Sequence, residues 1–105
     1  MVKAVIYKKN GEYSGFLCKG HAGFAKIGSD IVCSAVSTLT INTVNSIEEF
    51  TDSHIIGEVS EGMLKCDFPE GLDDKGKLLM DSLMLGLNQI QKDYNKYFRL
   101  DVKEV

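Results

Sequence analysis

A chain of 105 residues has room for one modest hydrophobic core, read here as a single domain over 1–105, and not for two. Its 44% hydrophobic and 26% charged residues are ordinary for a globular protein. A net charge of −3, a pI near 5.3 and no basic run beyond Lys8-Lys9 argue against a nucleic-acid binder, because affinity for phosphate backbones comes mainly from Lys and Arg.

The N-terminus carries no long apolar segment, so neither a signal peptide nor a membrane span is expected and the protein should be cytoplasmic. Three cysteines without a C-x-x-C pair suit free thiols in a reducing compartment. Val2, Ala4 and Ile6 alternate with Lys3, Val5 and Tyr7, the period of a strand, and Asn10-Gly11 is the dipeptide favoured in a two-residue hairpin turn. A second strand over 12–19 then delivers Gly20 and His21 to the mouth of a sheet.

From Ile31 to Thr51 there is neither Gly nor Pro, and Val32, Val36, Leu39, Thr43, Ile47 and Phe50 recur at helical spacing. The β-branched and hydroxyl residues between Ser37 and Asn45 are poor helix formers, so this helix must lean on tertiary packing. His54 to Ser60 and Met63 to Phe68 read as a second hairpin around Glu61-Gly62, closed by Pro69. A second helix follows over 74–97, with Leu79, Leu83, Leu87, Ile90, Tyr94 and Tyr97 on its buried side. Leu78 and Leu85 fall off that stripe and, with Gly86 allowing close approach, form a candidate dimer surface. Phe98 to Val105 alternates again. The order β-β-α-β-β-α-β predicts an α/β (α+β) two-layer sandwich, a mostly antiparallel sheet with two helices on one face; these local patterns leave the strand order open.

One stretch stands apart. Between Gly20 and Ser37 the chain places a histidine, a carboxylate and a thiol in a short span. With Asp30 as N-cap, Cys33 falls in the first helical turn, where unpaired amides and the helix dipole favour a thiolate. Asp30 lies three residues before Cys33 and Ser37 four after, so all three share one side of the helix. A pliable loop over Ala22 to Ser29 can return His21 to the same place. The arrangement is that of a nucleophilic Cys33 with His21 as general base, Asp30 or a helix-end amide orienting it and the same free amides holding an oxyanion. The plain alternative is a core cysteine and a loop histidine. Cys18 and Cys66 alternate with core residues and read as structural, and His54 as a surface residue.

Two other classes remain open. Cys18-x-x-His21 has ligand-like spacing, and Cys33 and Cys66 would complete a Cys₃His metal set. A non-enzymatic ribosome-associated module is the other, since small αβ domains bind RNA and fold does not fix function; the acidic balance counts against it.

The pattern Gly20-His21-Ala22, Asp30-Ile31-Val32-Cys33 and Ala35-Val36-Ser37 closely resembles the bacterial ribosomal-processing cysteine protease (Prp) family, over nearly the whole chain; Ser34 stands where that family commonly has Ala. The resemblance implies an endopeptidase, found chiefly in Firmicutes, that removes a short N-terminal extension from a large-subunit ribosomal protein during ribosome maturation. It implies catalysis by His21 and Cys33, with Gly20, Asp30 and Ser37 at other motif positions. A homodimer without cofactor or metal, a loop over Ala22 to Ser29 that moves on substrate binding, and aromatic substrate residues before the cut also follow from the resemblance alone.

Overall fold

The computed structural model describes residues 1–20 and 27–105. Seven elements follow in chain order: β1 (Val2–Lys9), β2 (Glu12–Lys19), α1 (Ile27–Phe50), β3 (Ile56–Ser60), β4 (Met63–Asp67), α2 (Asp74–Asp93) and β5 (Phe98–Glu104). The predicted element order is the one observed. The strands form one sheet in the order β3-β4-β2-β1-β5, antiparallel except for the parallel pair β1 and β5.

Side-chain alternation in this register explains the core. Ala4 pairs with Cys18 and Ile6 with Phe16, Phe16 with Cys66 and Val2 with Phe98, so all seven project from one face. All are buried there with Val32, Val36 and Ile47 of α1 and Met80, Leu83 and Leu87 of α2, which places both helices on that face. The rings of Phe16 and Phe68 add an aromatic contact at 6.3 Å between centroids. The turn between β1 and β2 has Asn10 at φ 53° and Gly11 at φ 77°, the left-handed pair that a tight hairpin needs. The sequence did not signal the bulge in β2: Tyr7 pairs with Gly15 but Lys8 with Tyr13, leaving Ser14 as the extra residue.

Helix α1 forms despite its threonines because their hydroxyls turn back onto the helix. Thr40 Oγ1 donates to the Val36 carbonyl at 2.8 Å and Thr43 Oγ1 to the Leu39 carbonyl at 2.7 Å, so both can be buried without an unpaired polar atom. The predicted stripe needs one correction. Phe50 is 64% exposed, because the buried row runs Val36, Thr40, Thr43, Ile47 and continues to Thr51, whose hydroxyl bonds the Ile47 carbonyl.

Helix α2 starts where Asp73 accepts a hydrogen bond from the Gly76 amide. It ends at Asp93 rather than Tyr97, since Tyr94 is the C-cap and the turn through Tyr97 redirects the chain into β5. Gly86 does permit a close helix contact, but within the chain: a Cβ there would lie 2.9 Å from Leu39 Cδ1.

Candidate active site

Four strand ends and one helix meet at a cleft of about 220 Å³. The start of β1 supplies Val2, the end of β2 supplies Cys18 to Gly20, and the β3–β4 hairpin supplies Val59, Ser60 and Gly62 to Leu64 around its turn. Helix α1 supplies Cys33, Val36, Ser37, Thr40 and Ile41. Cys33 and Ser37 stand on successive turns of that helix, as their spacing predicts, with Cys33 half-buried and Ser37 exposed. The exposed wall is mostly apolar, so the thiol opens into an apolar recess.

Gly20 is held tightly. Its amide donates to the Gly62 carbonyl at 3.0 Å, and a Cβ on it would lie 3.1 Å from Val2 Cγ2. Gly62 has φ 71°, and a Cβ on it would come within 2.7 Å of the Gly20 carbonyl oxygen. Glycine is therefore required at Gly62 twice over, by backbone conformation and by space. The sequence marked Gly62 as a turn residue but not as the neighbour of Gly20.

His21 lies outside the described residues, as do 22–26 of the predicted loop. The predicted loop extends to Ser29, but 27–29 are helical. Asp30 is consequently the fourth residue of α1 and not its N-cap, and Cys33 is the seventh. In a regular helix the Cys33 amide is already bonded to the Ser29 carbonyl, so the unpaired amides belong to 27–30, a turn earlier. The expected activation of the thiol by the first helical turn, and the oxyanion donors expected there, do not hold at Cys33, because the dipole effect fades within that turn.

The other two thiols are core groups. Burial pushes Cys18 up to about 12, against a lowering contact from Thr40, and burial with the carboxylates of Asp67 and Glu48 pushes Cys66 up to about 12. Metal ligation needs thiolates, and both sites oppose ionisation. Among the described residues no group of three or more His, Cys, Asp or Glu side chains stands close enough to hold a metal ion. His54 is on the surface, with Nδ1 3.6 Å from Glu70 Oε1.

A mixed five-stranded sheet backed by two helices, with an accessible thiol where helix and strand ends part, describes a small α+β domain built round one cysteine. The chain belongs to the cysteine protease Prp family, whose model matches residues 1–99, and is thus a cysteine-type peptidase, a hydrolase acting on peptide bonds. It is 29% identical over 107 residues to the ribosomal processing cysteine protease Prp of Bacillus subtilis (strain 168), covering 95% of this chain and 96% of that one. The Prp of Staphylococcus aureus (strain Mu50 / ATCC 700699) is 26% identical over 101 residues, covering 94% of this chain and 95% of that one.

Among solved structures, SMU.848 from Streptococcus mutans superposes with a TM-score of 0.90 at 29% identity, covering 100% of this chain and 96% of that one. The essential ribosomal processing protease Prp from S. aureus in complex with a substrate peptide gives 0.92 at 24% identity, over 98% and 100% of the two chains. That last likeness is one of fold.

Proposed function

We propose that this chain removes a short N-terminal extension from the precursor of a large-subunit ribosomal protein, with Cys33 as nucleophile and His21 as general base. The observation that carries the reading is the position of Cys33, half-buried on α1 and lining an apolar cleft that Gly20 also lines. His21 follows Gly20 directly in the chain. The curated relatives are named ribosomal processing proteases, which directs the substrate reading.

In the first step the imidazole of His21 takes the Cys33 proton and Sγ attacks the scissile carbonyl. As the tetrahedral intermediate collapses the C–N bond breaks, and His21 gives that proton to the leaving amine. A water then attacks the thioester with His21 as base, which releases the carboxylate and restores the thiol. Gly20 keeps the backbone close to Val2, Ser37 lies one turn beyond the nucleophile to hydrogen-bond substrate, and Asp30 orients His21. Since α1 starts before Asp30, the imidazole and not the helix end must activate the thiol.

The whole chain acts as one protease domain and works in the cytoplasm; no helix of the described residues is long and apolar enough to cross a membrane. A second copy is proposed to cover the outer side of α2, where Leu78 and Leu85 are 69% and 76% exposed.

The test is cleavage of the host's precursor ribosomal protein by the purified protein and by Cys33→Ala, with products read by mass spectrometry. A single cut near the precursor's N-terminus by the unaltered protein alone is expected. Cleavage that survives Cys33→Ala, or no cleavage of a folded precursor, would overturn the reading. Light scattering of the same sample, with Leu85→Lys beside it, reads the dimer.

A further inference from the structure

The sheet ends in two strands with one neighbour each, β3 and β5. The polar groups along β4 can be assigned to its two sides from two bonds at its ends: the Gly62 carbonyl accepts from Gly20, and the Phe68 amide donates to the Ser14 carbonyl. Both point towards β2. Direction alternates along an antiparallel strand, so Leu64 and Cys66 also turn to β2 while Met63, Lys65 and Asp67 turn to β3. Their partners there are Ser60, Glu58 and Ile56.

Gly57 and Val59 are therefore left with N–H and C=O groups aimed out of the sheet, and no strand of the described residues pairs with them. They lie opposite Cys66 and Leu64, so their side-chain positions are on the helix side. Val59 is 78% exposed and lines the cleft that holds Cys33. A Cβ on Gly57 would meet nothing within 4 Å. The unpaired edge thus runs straight into the cleft, whereas no residue of β5 lines it.

We propose that β3 takes the substrate as an added strand: an extended segment of the peptide pairs with the free amides and carbonyls of Gly57 and Val59 and sends alternate, apolar side chains past Val59 into the cleft. Main-chain pairing of this kind gives affinity while pockets for alternate side chains give selectivity. An added strand also arrives already extended, the form in which a scissile bond is open to attack. The inference rests on the protease reading above and says how that site holds its substrate.

The experiment is steady-state kinetics on a synthetic peptide spanning the cleavage point mapped by mass spectrometry. Gly57→Pro removes an outward N–H without taking a bond from β4, the position at which an edge strand accepts proline, and Gly57→Ala keeps that N–H. Gly57→Pro is expected to raise KM roughly three- to tenfold, the worth of about one net hydrogen bond, with kcat within about twofold, and to raise it more than Gly57→Ala does. Should Gly57→Pro fail to fold, peptides methylated at one backbone nitrogen at a time decide the matter on the unaltered protein. Methylation is expected to weaken cleavage at every second residue. An unchanged KM in a folded Gly57→Pro, or methylation effects without that period, overturns the added strand and leaves the protease reading standing. A peptide that the unaltered protein does not cut overturns both.

Discussion

The Gly20 amide and the Gly62 carbonyl oxygen, 3.0 Å apart, tie the end of β2 to the tip of the β3–β4 hairpin. The bond fixes one wall of the cleft against the point where the chain enters His21. Gly62→Ala tests its worth. Alanine must adopt φ 71° and bring Cβ within 2.7 Å of the Gly20 oxygen, which costs at least about 2 kcal/mol when strain and crowding are taken together. A lower melting temperature and a loss of activity larger than unfolding explains are expected, measured by thermal denaturation and by kcat/KM well below the transition.

Cys33→Ala and His21→Ala are each expected to lower kcat/KM by about 10³-fold or more. The melting temperature of Cys33→Ala should stay close to that of the parent, because the side chain is only half-buried. Asp30→Ala becomes informative in the light of the helix boundary. Asp30 is inside α1 and not at its cap, so a fall in rate without a fall in melting temperature reports orientation of His21. A fall in both reports a structural role.

The element order, the two hairpin turns and most of the core are legible in the sequence because alternation and helical spacing are local properties. Val2, Ala4, Ile6, Val32, Val36 and Ile47 are buried as their periodicity requires. Strand order is not legible, since the parallel pairing of β1 with β5 joins residues almost a chain length apart. The start of α1 escapes the sequence for a related reason: Asp30 has the chemistry of a cap, yet the helix begins at Ile27, and one favourable side chain does not fix a helix end. Of the candidate site, the spacing of Cys33 and Ser37 puts them together in the cleft, and Gly20 joins them through the end of β2. Val59 and Gly62 are out of reach, because only the folded hairpin brings them to Cys33.

Stability should depend on pH at both extremes. On the acid side, the Gly76 amide bonded to the Asp73 carboxylate holds that group below its usual value. Its contribution is present above pH 3.8 and lost as the pH falls through the lower folded value. On the alkaline side, Cys18 and Cys66 rise from 9.0 to about 12. The unfolded thiols ionise first, so their contribution is whole below pH 9 and is lost as the pH rises from 9 towards 12. Tyr13, raised by burial and by its hydrogen bond to Asp81, adds to the same loss. Urea midpoints measured from about pH 7 to about pH 11 should decline from about pH 9, and a flat profile would place those thiols in water.

Thiol chemistry separates the three cysteines. At about pH 8 iodoacetamide should add one carboxamidomethyl group per chain, on Cys33, because alkylation needs an accessible thiolate whereas Cys18 and Cys66 are buried and held protonated. That single adduct should abolish peptide cleavage. Cys66→Ser should behave in the opposite way. Its side chain is fully buried between Phe16 on β2 and the helices, and a serine hydroxyl there costs about 1–3 kcal/mol of stability with kcat nearly unchanged below the melting transition. Cys66→Ala, which introduces no polar atom, should restore part of that stability, and intact-mass spectrometry beside thermal melts checks all three outcomes. Two or three adducts on the folded protein under the same conditions would mean that the thiols of β2 and β4 open to solvent, and the division into one reactive and two core cysteines would fall.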